Sequence, residues 1–187
     1  MNKDEIADTK HRITVPMSDA DLEKYTGVAP EDILKYCDLK NYATVDELLP
    51  EDKSFRIILI EKNYNNGHWV AIMRHGQTVE YFNSYGLRWD ADWKFITRMI
   101  RTILGEGTNE MSRLMAQADD DGYQTIWNHT RFQKFSPTVN TCGRWCTLRV
   151  ETMRMGYSLP EFTEFVHDQA KRLKQSTDFV VSRFVSK

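Results

Sequence analysis

Residues 67–86 read GHWVAIMRHGQTVEYFNSYG, an apolar run, a polar break at His75-Gly76, and a second apolar run. Two strand-length segments rich in β-branched and aromatic residues around a tight turn predict a β-hairpin. With His75 and Gly76 as the central turn residues, Arg74 faces Gln77, and counting back makes His68 face Asn83. Directly opposed residues carry Cβ atoms roughly 4.5–5.5 Å apart on one face of the sheet, so an imidazole and a carboxamide would meet. Glu80 differs from Asn83 in parity and points to the other face, which removes it as a partner for His68. Just upstream, FRIILIEKN (Phe55–Asn63) supplies another apolar strand, and NYNNG is loop chemistry.

The second landmark is TCGRWCTLRVETM, residues 141–153, which reads as the start of a helix ending near Gly156. Cys142 falls in its first turn, where unpaired N–H groups and the positive dipole end favour a thiolate. Cys146 lies one turn on, shares that face and packs as a small hydrophobe. Gly143 leaves space for a substrate backbone to approach. Gln133, nine positions before Cys142, offers a side-chain N–H₂ that joins the Cys142 backbone N–H as an oxyanion donor. Thiol, base, orienter and oxyanion donor are the components of a cysteine hydrolase. A neutral amide such as Asn83 fixes the base's tautomer but stabilises imidazolium less than aspartate, which suits a thiol nucleophile better than a hydroxyl. Each residue has a plainer reading: His68 at a loop edge, Asn83 in a turn, Cys142 an ordinary core thiol, Gln133 solvated. Trp69, next to His68, is either core or a wall beside the site. Cys37 has no partner in view.

The remaining chain reads as α+β. Residues 1–12 are polar and expected to be flexible. A Ser-Asp helix start follows in ITVPMSDADLEKYTG, then a short helix in APEDILKYCDLKNY with Pro30 at its first turn, and a turn of helix in VDELLP. Asp90–Leu104 has apolar residues at helical spacing, ADDDGYQ is a loop, and QTIWNHTRFQ a strand. A last helix from Pro160 to Gln175 precedes an apolar tail, DFVVSRFV. The expectation is one domain over 1–187, a small mixed and largely antiparallel sheet packed by helices.

Of 187 residues, 41% are hydrophobic and 12% aromatic, which excludes a disordered chain, and a net charge of -2 excludes a global basic field for nucleic acid. No long apolar run suggests a membrane span or a signal peptide, so the chain reads as soluble and intracellular. Three cysteines argue for reduced thiols, and their spacing with His68 and His75 is not that of a zinc site. No cofactor is expected.

GHWVAI, VEYFNSYG and TCGRWC together resemble the clan of the adenovirus maturation protease (adenain) and the SUMO/ubiquitin-like-protein proteases, over roughly Phe55 to Met155. That resemblance implies a papain-like core in permuted order, with His68 as general base, Asn83 as third member, Gln133 at the oxyanion and Cys142 as nucleophile. Trp69 matches the tryptophan that flanks the base and confines a narrow substrate tail. The third member departs from the Glu of adenain and the Asp of the SUMO proteases, and the segment from Gln133 to Cys142 is a little longer than in adenain. DILKYCDLKNY and the short length are more similar to the viral branch, including virophage- and polinton-type proteases. The resemblance implies a monomeric endopeptidase of virion or infected-cell cytoplasm that matures capsid or core precursors after Gly-Gly-X-like sites, with a peptide or DNA activator as in some clan members. A deubiquitinase or deSUMOylase, and an inert binding module on the same fold, are the competing readings.

Overall fold

The computed structural model describes residues 1–63, 66–91, 102–103 and 109–186. Five strands form one sheet in the order β1 (Ile33–Lys35), β2 (Phe55–Asn63), β3 (Asn66–His75), β4 (Thr78–Phe82), β5 (Gln124–Trp127). β2/β3 and β3/β4 are antiparallel, whereas β1/β2 and β4/β5 are parallel. The sheet is therefore mixed in equal parts, because each edge strand is joined to its neighbour by a long crossover that returns the chain in the same direction.

Helices cover both faces. On one side lie α2 (Asp19–Thr26), α5 (Cys142–Arg154), α6 (Leu159–Leu173) and α7 (Thr177–Phe184), packed on Ile57, Leu59, Trp69, Ala71 and Met73. On the other, α3 (Val45–Leu48) and α4 (Glu110–Asp120) pack on Ile58, Ile60, Val70 and Ile72. Alternate residues of β2 and β3 serve the two cores, which is why both strands are apolar through their middles, Ile57–Ile60 and Trp69–Met73.

The hairpin differs from the expected register. His75 pairs with Thr78 and Ala71 with Phe82, so the central turn residues are Gly76 and Gln77. Gly76 takes φ +59° and its N–H donates to Asp52 Oδ1 at 2.7 Å. A glycine is the natural first residue of such a turn, and its positive φ decides the register. His68 and Asn83 are thus not directly opposed; Asn83 lies just past the end of β4.

Other differences have local causes. Residues 1–12 are expected from sequence to be flexible, but residues from Lys3 onward belong to helix α1 (Lys3–Thr14), capped reciprocally by Asn2 and Glu5 and tied to α7 through Arg12 and the Ser182 carbonyl. Ile33–Lys35 does not continue a helix after Pro30 but adds to the free edge of β2, between two 3₁₀ turns. The loop expected at ADDDGYQ begins inside α4, and the apolar tail is α7, capped by Ser176. The helix expected over Asp90–Leu104 falls largely outside the described residues. Ser18 caps α2 and α5 starts at Cys142, both as expected.

Helix α5 runs through the middle of the molecule with almost every side chain buried. Its Arg149 makes a bidentate pair with Glu80, Nε to Oε1 and Nη2 to Oε2, both 2.7 Å, with both side chains fully buried. Burial pushes the Glu80 carboxyl up, but Arg149 and His75 outweigh it and hold the group below its ordinary value. Removing one partner of such a pair costs about 3–5 kcal/mol, so this clasp fixes α5, and with it Cys142, against the sheet.

Candidate active site

Cys142 is the first residue of α5 and 9% exposed. Thr141 before it is buried and donates through Oγ1 to Asp178 Oδ1 at 2.6 Å. The other Asp178 oxygen accepts the Lys134 N–H at 2.9 Å, so one carboxylate on α7 ties the start of α5 to the preceding loop. Two depressions open beside the sulfur, of about 800 Å³ and about 400 Å³. Both are lined by Asn66, Gly67, Asn140 and Cys142, so together they make one groove with the thiol at its neck.

The smaller depression holds His68, Tyr85 and Gln133 as well as Cys142. His68 Nε2 bonds Asn83 Oδ1 at 2.9 Å. The same oxygen accepts the Tyr85 N–H at 2.9 Å, and since a backbone amide only donates, this atom of Asn83 is the carbonyl oxygen. His68 therefore carries its hydrogen on Nε2 and keeps the Nδ1 lone pair free to take a proton. Asn83 is itself clamped: its N–H donates to Asn128 Oδ1 at 2.8 Å, and Asn128 Nδ2 donates back to its carbonyl at 2.6 Å. The Asn83–Gly86 turn closes with Gly86 N–H on the Asn83 carbonyl at 2.8 Å. Gly86 has φ +72°, and a Cβ there would sit 3.0 Å from the His129 carbonyl oxygen. Only glycine suits that corner.

Gln133 is buried and fully engaged. Ser84 Oγ donates to its Oε1 at 2.7 Å, and its Nε2 donates to the Val139 carbonyl at 3.0 Å and to the Tyr85 hydroxyl at 3.2 Å. The Tyr85 ring stacks on His68, centroids 4.7 Å apart and 18° between planes.

Electrostatically the resting pair is neutral. Burial pushes the Cys142 thiol up; the N–H groups of Trp69, Gly143 and Cys142 itself pull the other way without overcoming it. Burial likewise pushes His68 down, to about 4, with the Asn83 bond opposing and Lys62 assisting. The helix terminus stabilises the thiolate as the sequence suggests, but the loss of solvent is the larger effect. Cys146, deeper in the core, is raised further still.

The larger depression has a different wall. A strap made of the last residues of α1 and the segment leading to α2 lies across the start of α5 and is held by its carbonyls. Asn140 N–H bonds Ile13 O and Asn140 Nδ2 bonds Thr14 O, both at 2.8 Å; Arg144 Nη1 bonds Val15 O at 2.7 Å; and Trp69 Nε1 bonds Met17 O at 2.8 Å. Trp69 lines this depression, as a substrate wall would, while its indole N–H is spent on the strap. Gly143 has another function than the one expected. A Cβ there would meet Met17 Cβ at 3.1 Å and Trp69 Cδ1 at 3.2 Å, so its missing side chain makes room for the strap, not for substrate.

All four expected chemical groups, Cys142, His68, Asn83 and Gln133, gather at one groove. Ser84 and Tyr85 complete the network and sit inside the NSYG run, where their neighbours Asn83 and Gly86 attract the eye first. Asn128 gives no signal beyond a polar residue ending a strand, and Asp178 none, being 37 positions from the Thr141 it holds. Among the described residues, no group of three or more His, Cys, Asp or Glu could hold a metal ion, and no helix is long and apolar enough to cross a membrane.

Fold and groove define an α+β protein with a mixed five-stranded sheet between helices and a thiol, an imidazole and two carboxamides around one cleft. The chain is 30% identical over 152 residues, 81% of its length and 83% of the other's, to "Uncharacterized protein V9" of Sputnik virophage, and it belongs to the family of that virophage protein. No family model and no solved structure matches it.

Proposed function

We propose that the protein is a cysteine endopeptidase with a papain-like arrangement in permuted order, acting on viral capsid or core precursors. The observation that carries this reading is the groove pinched over Cys142, with His68 on one flank bonded through Nε2 to the Asn83 carbonyl oxygen. An extended peptide laid through both depressions brings its carbonyl carbon over the sulfur. His68 Nδ1 takes the thiol proton as the S–C bond forms, and the carbonyl π pair moves onto oxygen. The oxyanion is received by the Cys142 backbone N–H and by the Gln133 side of the cavity. When that pair returns, the C–N bond breaks, the leaving amine takes the proton from His68, and water then hydrolyses the thioester.

A neutral resting pair suits general-base attack on bound substrate better than a preformed ion pair. Substrate displaces the remaining water and the charges arise only in the transition state. Gly67 and Trp69 line the groove beside Cys142, and a bulky indole there would favour residues without side chains, in keeping with cleavage at Gly-Gly-X-like sites. Kinship with a virophage protein is consistent with a virion or infected-cell setting. Incubation with a capsid precursor, and with a Gly-Gly-X peptide, should give products whose new N-termini follow glycine. Cys142→Ala should abolish both cleavages while leaving the fold intact; near-normal cleavage by that variant would sink the assignment.

A further inference from the structure

We propose that the side-chain donor to the oxyanion is the hydroxyl of Tyr85, with Gln133 behind it as the group that positions and polarises it. This rests on the cysteine-protease reading and changes which atom meets the substrate.

The argument starts from hydrogen counting. An amide –NH₂ has two hydrogens, and in Gln133 one goes to the Val139 carbonyl and the other to the Tyr85 oxygen. Neither is left for a substrate. Val139 cannot release its hydrogen without leaving a buried carbonyl unpaired, which is costly. A phenol oxygen that accepts one hydrogen bond still carries its own O–H. Among the described residues nothing accepts it, and Tyr85 lines the same cavity as Cys142 and His68.

The bonds run head to tail. Ser84 O–H donates to Gln133 Oε1, Gln133 N–H donates to Tyr85 O, and Tyr85 O–H is free at the end. Each donation strengthens the next, so the terminal hydroxyl is a better donor than an isolated phenol. Burial, with Cys142 beside it, pushes the phenol's pKa up to about 12, so it remains a proton-bearing donor at neutral pH and does not become a competing anion.

Rigidity comes from three further contacts. The ring stacks on His68, Phe135 packs edge-on at 5.4 Å, and the Tyr85 N–H is bonded to Asn83. A preorganised donor needs no reorientation when charge develops, the condition under which such donors accelerate reactions most. Tyr85 thus touches the base, the orienter and Gln133.

The test is Tyr85→Phe, which keeps the ring, its stack on His68 and the backbone bond, and removes only the hydroxyl. Three readouts are compared with the unaltered protein: kcat and KM on a Gly-Gly-X peptide, affinity for a peptidyl-glycine aldehyde, and the rate of iodoacetamide alkylation of Cys142. The aldehyde forms a hemithioacetal whose oxygen occupies the oxyanion position; alkylation has no oxyanion. We expect kcat to fall by about 10²-fold, with aldehyde affinity falling alongside and both KM and the alkylation rate unchanged within about twofold. A kcat that holds or rises would overturn the proposal, because Gln133, released from the hydroxyl, would then be the donor itself. Parallel loss of alkylation would overturn it too, showing that the hydroxyl serves the base. If the unaltered protein neither cleaves the peptide nor binds the aldehyde, the protease reading fails first and carries this proposal with it.

Discussion

The two flanks of Cys142 are built on different principles. On the larger side the strap is held by four of its carbonyls, those of Ile13, Thr14, Val15 and Met17, each paired with a donor from Asn140, Arg144 or Trp69. Any residue supplies a carbonyl, so this wall specifies shape and says little about which side chains the strap carries. On the smaller side the network is side chain to side chain: His68 to Asn83, Ser84 to Gln133, Gln133 to Tyr85. Here identity matters at each position. On the protease reading proposed above, one flank would hold a peptide and the other would perform the chemistry, so damage to them should separate into KM and kcat.

The strongest break of that separation is His68→Ala. Loss of the base should lower kcat by about 10³–10⁴-fold, with KM changed little because the strap side is untouched. A comparable rise in KM would show that His68 contributes mainly to binding. Asn83→Ala leaves the base in place but frees its ring and removes the acceptor of the Tyr85 N–H, while the Asn128 clamp on the backbone remains. A misplacement of about 1 Å in such a site costs about 10²-fold, and kcat should fall by that order. Its Asn83→Asp counterpart should retain activity, since a carboxylate accepts the same Nε2–H.

These effects were foreseeable to different degrees in the sequence. Cys142 and His68 were legible because local rules act there: a helix start places the first, and an apolar strand ending in GHW places the second. The contact between His68 and Asn83 follows in the sequence from a register that is wrong by two in the sum of paired positions. The contact survives because both registers keep positions 68 and 83 on one face, and side-chain reach covers the difference. The strap was illegible for the opposite reason. KDEIADTKHRIT offers only Ile6 and Ile13 around Thr9, the one buried residue, so its hydrophobic pattern is too thin to announce a docked helix. Its attachment is through caps and backbone carbonyls, which leave no trace in residue type. Asp178 and Asn128 likewise act at a distance that no local pattern encodes.

The binding flank is broken most selectively at Arg144. This guanidinium is fully buried and makes one hydrogen bond, to Val15 O, while its Nε and Nη2 have no partner. Burial accordingly pushes its pKa below the ordinary value. Arg144→Met gives up one bond but also a poorly solvated charge, and such exchanges are commonly neutral or mildly stabilising. Thermal unfolding should therefore shift by less than about 1 kcal/mol in either direction, while KM for a Gly-Gly-X peptide rises several-fold and kcat stays within about twofold. A large loss of stability would mean that the charge is better compensated than its bonding shows.

The mildest change sharpens the electrostatics of the catalytic flank. With His68 at about 4, the base is neutral at neutral pH, so kcat/KM should be level from neutrality down to about pH 5 and fall as pH drops through 4, with no step near 6.5. Stability carries the same sign. Between the folded value of about 4 and the unfolded value near 6.5 the unfolded chain binds the extra proton, so stability rises with pH across that window and His68 adds no further dependence above it. Lys62 is exposed and its positive charge is one of the causes of the low value. Lys62→Gln should move the acid limb of kcat/KM upward, by roughly a few tenths of a unit at low salt, where the Debye length is longest. Added salt should move the limb of the unaltered protein in the same direction and leave that of the variant nearly still. A limb near 6.5 in the unaltered protein would show instead that the half-buried imidazole keeps enough solvent contact to titrate as an ordinary histidine.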